Sequence, residues 1–220
     1  RDFCLSRGLG DVYKRQIASQ NPSYYLSMGL TAEELAKEYS ITREEADAFS
    51  VRSHDKALAA IASGKFKDEI VPVEVEETYL DEKGKKKTRK FTVDTDEGPR
   101  AGTTMEGLAA LKPAFKNGGQ VTAGNSSQTS DGASFVVVMS ERLMKSLGID
   151  PIARMMSYSV AGVDPRIMGI GPKEAVPKAL KQAGLSLGQI ELVELNEAFA
   201  AQGLAAVSYT HLTLPTNREV

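Results

Sequence analysis

The spacing of apolar and polar positions changes character twice along the chain, and each spacing predicts a different kind of element. Thr31-Ala-Glu-Glu34 and Thr42-Arg-Glu-Glu45 each set a hydroxyl three residues before a carboxylate, the spacing of a capping box, so a helix start is predicted at each. In the second, Ala46, Phe49, Ser53, Ala57 and Ala60 recur every three or four residues, which predicts one small-residue packing face that Gly64 ends. Val71, Val73 and Val75 then alternate as a half-buried strand does, and Phe91 and Val93 supply a returning strand. Between them runs LDEKGKKKTRK, residues 80–90, a turn with Gly84 near its tip. After Gly124 the spacing changes again. Residues 133–139, ASFVVVM, are continuously apolar, the mark of a strand covered on both faces. A helix at about 141–147, a strand at about 152–158, a helix at about 173–183 and a strand from Ile190 to Leu195 follow. That alternation predicts an α/β layered sheet, with the earlier helices and hairpin inserted into it.

Composition narrows the class without choosing a function. The 220 residues are 41% hydrophobic and 25% charged with a net charge of −2, ordinary for a soluble chain. A balance this near neutral predicts no nucleic-acid partner, and no run is long enough to predict a membrane span. The single cysteine, Cys4, excludes an internal disulfide framework and fits a reducing compartment; no secretory leader is legible, so the expected location is cytoplasmic.

The two ends read as something other than protein design. Residues 6–16 are SRGLGDVYKRQ and residues 207–216 are VSYTHLTLPT. One back-translation of Asp11 to Gln16 is GAT GTG TAT AAG AGA CAG, whose reverse complement, read two bases in, encodes Val207 to His211. Antisense copies of this kind, and a resemblance to translated transposon-end sequencing adapters, assign 1–16 and 207–220 as adapter-like. Cys4 and His211 then take no functional role, and the natural segment is expected to run from about Ile17 to Ala206.

Candidate chemistry gathers at three glycine-rich places. Residues 121–127, VTAGNSS, combine small residues, which let backbone approach a ligand, with hydroxyl and amide groups that bind one. Met168-Gly-Ile-Gly-Pro172 opens a helix but lacks the third glycine of a dinucleotide fingerprint. Glu194-Leu-Asn-Glu-Ala-Phe-Ala200 lies where a buried strand exits into a helix, the end of an α/β sheet at which ligands collect. Position alone leaves Asn196 either a helix cap or a catalytic group. His54 sits among Arg52, Asp55 and Lys56 and reads as a surface helical residue. The lysines of residues 83–90 read as a solvated hairpin tip, with an anionic ligand or an acidic neighbouring subunit as the competing reading.

At these same places the sequence resembles the thiolase family. MGLTAEELAKEY, ITREEADAFSVRSHDKA, GKFKDEIVPV, DTDEGPR, LKPAF, VTAGNSSQTSDGA, SVAGVDPRIMGIGP and ELNEAFAAQ occur in family order across nearly all of residues 24–206. MGLTAE is more similar to degradative 3-ketoacyl-CoA thiolases than to biosynthetic ones, many of which carry a histidine where this chain has Ser27. The resemblance implies an α/β thiolase fold, two related halves in a five-layer αβαβα core with a loop domain inserted in the first. Residues 17–120 would then be the loop domain, 121–148 the end of the first half and 149–206 the start of the second.

It also implies ping-pong acyl transfer between coenzyme A thioesters, with coenzyme A as substrate and no permanently bound cofactor. Family members are commonly homodimers or homotetramers. Asn196 matches the asparagine that holds an ordered water in an oxyanion hole, and Phe199 and Met168 match residues lining the acyl and pantetheine end. Ser127 matches a hydroxyl that binds pantetheine, with Ala123 and Phe115 beside it; Arg100 matches a residue packed on the adenine; Met28 follows the position of the biosynthetic histidine. The nucleophilic cysteine, the catalytic histidine and the second cysteine have no counterpart here, so this chain alone is expected to be inactive. Having lost sheet neighbours, it is also expected to be poorly soluble or partly molten. A non-catalytic acyl-CoA or lipid carrier of the same family is the competing function.

Overall fold

The structure, a computed structural model, describes residues 15–207, so the adapter-like ends, with Cys4 and His211, lie almost wholly outside the described residues. Helix α1 spans Met28–Glu38 and α2 spans Arg43–Ala62. The second of the two expected capping boxes is present: the Thr42 hydroxyl accepts the Glu45 N–H at 3.1 Å, and the Glu45 carboxylate accepts the Thr42 N–H at 2.8 Å. The first is not. Helix α1 begins a turn earlier, after Ser27, and Thr31 lies inside it, buried, with its hydroxyl donating to the Met28 carbonyl at 2.7 Å. Packing sets that start: Gly29 lies against the Phe115 ring, where a Cβ would approach to 2.2 Å, so the first turn is seated before Thr31 is reached.

A hairpin follows, β1 (Val73–Leu80) and β2 (Lys86–Val93), antiparallel with Val73 opposite Val93 and Val75 opposite Phe91. Its tip turns at Gly84, which has φ +71°, and the Asp81 carboxylate accepts the N–H groups of Lys83 and Lys85, both at 2.9 Å. The expected half-burial is nearly absent. Val71 and Val73 are exposed, and only Val75 and Glu77 of β1 are partly covered. No element among the described residues covers either face of the hairpin enough to shield its alternate positions.

Short helix α3 (Met105–Ala109) leads to the loop 119–127; α4 (Glu141–Leu147) and α5 (Gly171–Ala183) lie where helices were expected, each closed by a left-handed glycine, Gly148 and Gly184. Helix α6 spans Ala200–Val207. The three strands expected at 133–139, 152–158 and 190–195 are not formed: the hairpin is the one sheet among the described residues. Phe135 is 95% exposed and Val136 86%, so the most apolar run of the chain lies in solvent. A strand is completed only by a neighbour that accepts from its N–H groups and donates to its C=O groups, and these three have none among the described residues.

The core lies elsewhere. Leu35, Ala36 and Ile41 pack with Ile170, Ala201 and Ala205, joining α1 and the residues just after it to α6 and to a 3₁₀ segment, Pro165–Ile170. Small residues let these helices approach closely; at Gly203 of α6 a Cβ would lie 3.0 Å from the Phe49 ring of α2.

Candidate functional site

Loop 119–127 is held from beneath by buried polar groups. Arg43 donates to Asp47 at 2.6 Å, one helical turn away, and to the Leu108 and Leu111 carbonyls at 2.5 and 3.2 Å. The other Asp47 oxygen accepts the Asn125 amide at 2.9 Å, and the Asn125 oxygen accepts the Thr122 N–H at 2.8 Å. Glu33 of α1 accepts the N–H groups of Gln120 and Val121 at 2.9–3.1 Å. Asp47 and Asn125 are both nearly fully buried, where an unpaired charge or amide is expensive, so the pairings fix the loop in one shape. Asn125 and Thr122 are thereby committed to structure, as is Ser126, whose hydroxyl donates to the Thr122 carbonyl at 2.6 Å. Of the loop's hydroxyls, that of Ser127 is left facing outward, bonded at 3.2 Å only to the neighbouring Gln128 carbonyl.

Ser127 opens onto a cleft of about 360 Å³ walled by Ser53 and His54 of α2, Gly98 and Pro99, loop residues 124–128, and the turn at Asn196 and Glu197. A second cleft, of about 210 Å³, is lined largely by apolar groups, including Met28, Leu35, Met168 and Phe199. Asn196 borders both. Its side chain is exposed and makes no hydrogen bond among the described residues, and α6 begins only at Ala200, so it is not a helix cap. The turn bearing it is fastened by the Ser127 N–H donating to the Ala198 carbonyl at 2.9 Å and by Phe199 packing edge-on against Phe115, ring centres 5.9 Å apart.

The structure brings most of the expected site residues together. Asn196 and Ser127 share the larger cleft; Met28, Met168, Phe199 and again Asn196 share the smaller; Phe115 backs Phe199. Ala123 is exposed on the same loop as Ser127 but lines neither cleft, and the Arg100 side chain is exposed beside the larger one without lining it. The backbone N–H of Arg100 donates to His54 Nδ1 at 3.1 Å. Sequence reading placed His54 on a charged surface; it is half-buried in the cleft wall instead. Ser53 and Glu197, whose side chains meet at 2.5 Å across 144 residues of chain, were not read as partners either. The available signal was Ser53 itself, a hydroxyl on an otherwise apolar helix face. Inside the smaller cleft Gln202 Oε1 is the buried side-chain acceptor that lacks a donor among the described residues. No group of three or more His, Cys, Asp or Glu among the described residues is arranged to hold a metal ion, and no helix there is long and apolar enough to cross a membrane.

Residues 5–142 match the thiolase N-terminal domain and residues 149–217 the thiolase C-terminal domain; the chain belongs to the thiolase family. It is 53% identical over 191 residues to a 3-ketoacyl-CoA thiolase of Bacillus subtilis, covering 87% of this chain and 49% of that protein. An acetyl-CoA acetyltransferase of Pseudomonas aeruginosa is 54% identical over 178 residues, 81% of this chain and 43% of that protein. The crystal structure of human mitochondrial 3-ketoacyl-CoA thiolase in complex with CoA matches at 45% identity with a TM-score of 0.75, over 86% of this chain and 44% of that one. The fold is therefore part of the thiolase fold, and the chain spans about half the length of the curated relatives it matches.

Proposed function

We propose that the protein to which this chain belongs is a thiolase-type acyltransferase, which cleaves 3-ketoacyl-CoA to acetyl-CoA and a shortened acyl-CoA or runs the reverse condensation. The observation that carries this reading is the position of Asn196, unpaired, where a polar cleft bearing Ser127 meets an apolar one bearing Met28, Met168 and Phe199. A coenzyme A thioester has that division: a polar pantetheine and nucleotide on one side of the sulfur, an apolar acyl chain on the other.

In this reading the pantetheine lies along Ser127 and Ala123 with Phe115 nearby, the adenine reaches Arg100, and the thioester stops at Asn196. A cysteine thiolate from elsewhere in the protein adds to the 3-keto carbon. The bond to C2 breaks, acetyl-CoA leaves after its enolate takes a proton from an acid group, and the acyl group passes from cysteine sulfur to a second coenzyme A thiol. The oxyanions formed on the way need fixed donors, and Asn196, holding a water, supplies one. Coenzyme A is a substrate throughout and no resident cofactor is required.

The domain reading belongs to the same proposal: 17–120 as loop domain, 121–148 and 149–206 as parts of the two halves, in a homodimer or homotetramer of the cytoplasm. The described residues contain no cysteine, which supports the inference that this chain alone does not turn over. The test is thiolysis of acetoacetyl-CoA, followed by loss of its enolate absorbance, with the intact protein and with this chain. Turnover by the intact protein alone is expected. Binding of coenzyme A without turnover by the intact protein would make it a carrier, and turnover by this chain would overturn the assignment of the nucleophile.

A further inference from the structure

We propose that Ser53 and Glu197 form a clasp that positions Asn196, which makes them positioning residues for the reaction; the proposal rests on the reading of Asn196 given above. Asn196 has no side-chain bond of its own among the described residues, so the orientation of its amide follows from the backbone that carries it. On the C-terminal side that backbone is pinned, through the Ala198 carbonyl to Ser127 and through Phe199 to Phe115. On the N-terminal side residues 191–195 make no backbone hydrogen bond among the described residues, with Leu192 62% exposed. A turn held at one end retains freedom to rotate about that end.

The second hold is the 2.5 Å bond from the Ser53 hydroxyl to the Glu197 carboxylate, on the residue adjoining Asn196. A hydrogen bond to a carboxylate is the stronger kind, and the donor stands on a rigid element. Helix α2 is fixed at its start by the Thr42–Glu45 box and, through Asp47, to the loop that presents Ser127. The clasp therefore ties the Asn196 turn to the same frame that carries Ser127. His54, the next residue, is held separately, its Nδ1 accepting the Arg100 N–H.

The test is steady-state thiolysis by the intact protein carrying Ser53→Ala, Glu197→Ala, Glu197→Gln or Asn196→Ala, with melting of each variant recorded. A misplacement of the oxyanion donor by a fraction of an ångström is expected to lower kcat about tenfold in both Ser53→Ala and Glu197→Ala, a larger change than in KM for coenzyme A. The pair combined should lose no more than either alone, and neither should matter on the Asn196→Ala background. Glu197→Gln keeps an oxygen that accepts the Ser53 O–H, though not the charge, and should recover most of the kcat lost in Glu197→Ala. Losses that multiply, wild-type kcat in both alanine variants, or a Glu197→Gln as impaired as Glu197→Ala would each overturn the clasp. If Asn196→Ala is itself harmless, the reading of Asn196 falls and the clasp with it; a damaging Asn196→Ala beside harmless clasp variants removes the clasp alone.

Discussion

The region around loop 119–127 and the apolar run 133–139 lie only a few residues apart, yet they solve opposite problems. The loop is rich in glycine and polar groups and reads as irregular, but its buried polar groups find partners in α1, α2, the loop itself and the Ala114 N–H. The run 133–139 has the stronger strand signal and forms no strand, with Val137 85% exposed. Helices and capped loops close most of their hydrogen bonds within a short stretch of chain. A strand closes none of its own, so its formation depends on segments distant in sequence. The loop depends on distant segments too, but its partners Glu33 and Asp47, 78 to 88 residues away, are among the described residues, and those of the run are not.

The largest effect is expected at Asp47. Asp47→Ala removes the carboxylate partner of the Arg43 guanidinium and one of the two acceptors of the Asn125 amide, and breaking a buried pair in this way costs about 3–5 kcal/mol. Amide hydrogen exchange at Val121 and Thr122 should lose protection accordingly; unchanged protection would mean the loop is held by its backbone alone. Leu35→Ala, in the core between α1 and α6, should cost about 2–5 kcal/mol, read as faster exchange across α1 and α6 together. Val136→Lys should do the reverse of what the sequence suggests. In this chain it should leave exchange elsewhere within about 0.5 kcal/mol and reduce binding of an apolar dye, because nothing packs on that side chain. A large destabilisation would show that the run is covered.

The smallest effect is one of pH. The Asp81 carboxyl is held below its ordinary value of 3.8 by the N–H of Lys85 first, then by the N–H of Lys83 and the side chain of Lys87. A carboxylate lowered in the folded state contributes stability above its ordinary value and loses it as pH falls through the lowered one. Exchange at the Lys83 and Lys85 amides should therefore be independent of Asp81 from neutral to mildly acid pH and rise only in stronger acid. An Asp81→Ala chain with the same profile would show that the tip is set by Gly84 alone.

What the sequence disclosed follows the same division. Helices α2, α4 and α5, the hairpin and its turn at Gly84 were legible because capping groups, alternation and turn glycines act within a few residues. The start of α1 was misread because Thr31-Ala-Glu-Glu34 satisfies a local rule that the contact of Gly29 with Phe115 overrides. The strands were legible as residues but not as structure, since their partners are not among the described residues. At the site, Asn196, Ser127, Met168 and Phe199 were marked by motif. His54, Ser53 and Glu197 were not assembled, because their partners stand 46 and 144 residues away and no local pattern joins them.

The central claim is that Asn196 acts at the meeting point of the two clefts, and turnover of the intact protein tests it most directly. Removal of an oxyanion-hole donor typically lowers kcat about 10²-fold or more. Asn196→Ala should do so in acetoacetyl-CoA thiolysis while leaving KM for coenzyme A unchanged. An Asn196→Ala protein with the kcat of the wild type would contradict the account and leave Asn196 as an exposed turn residue.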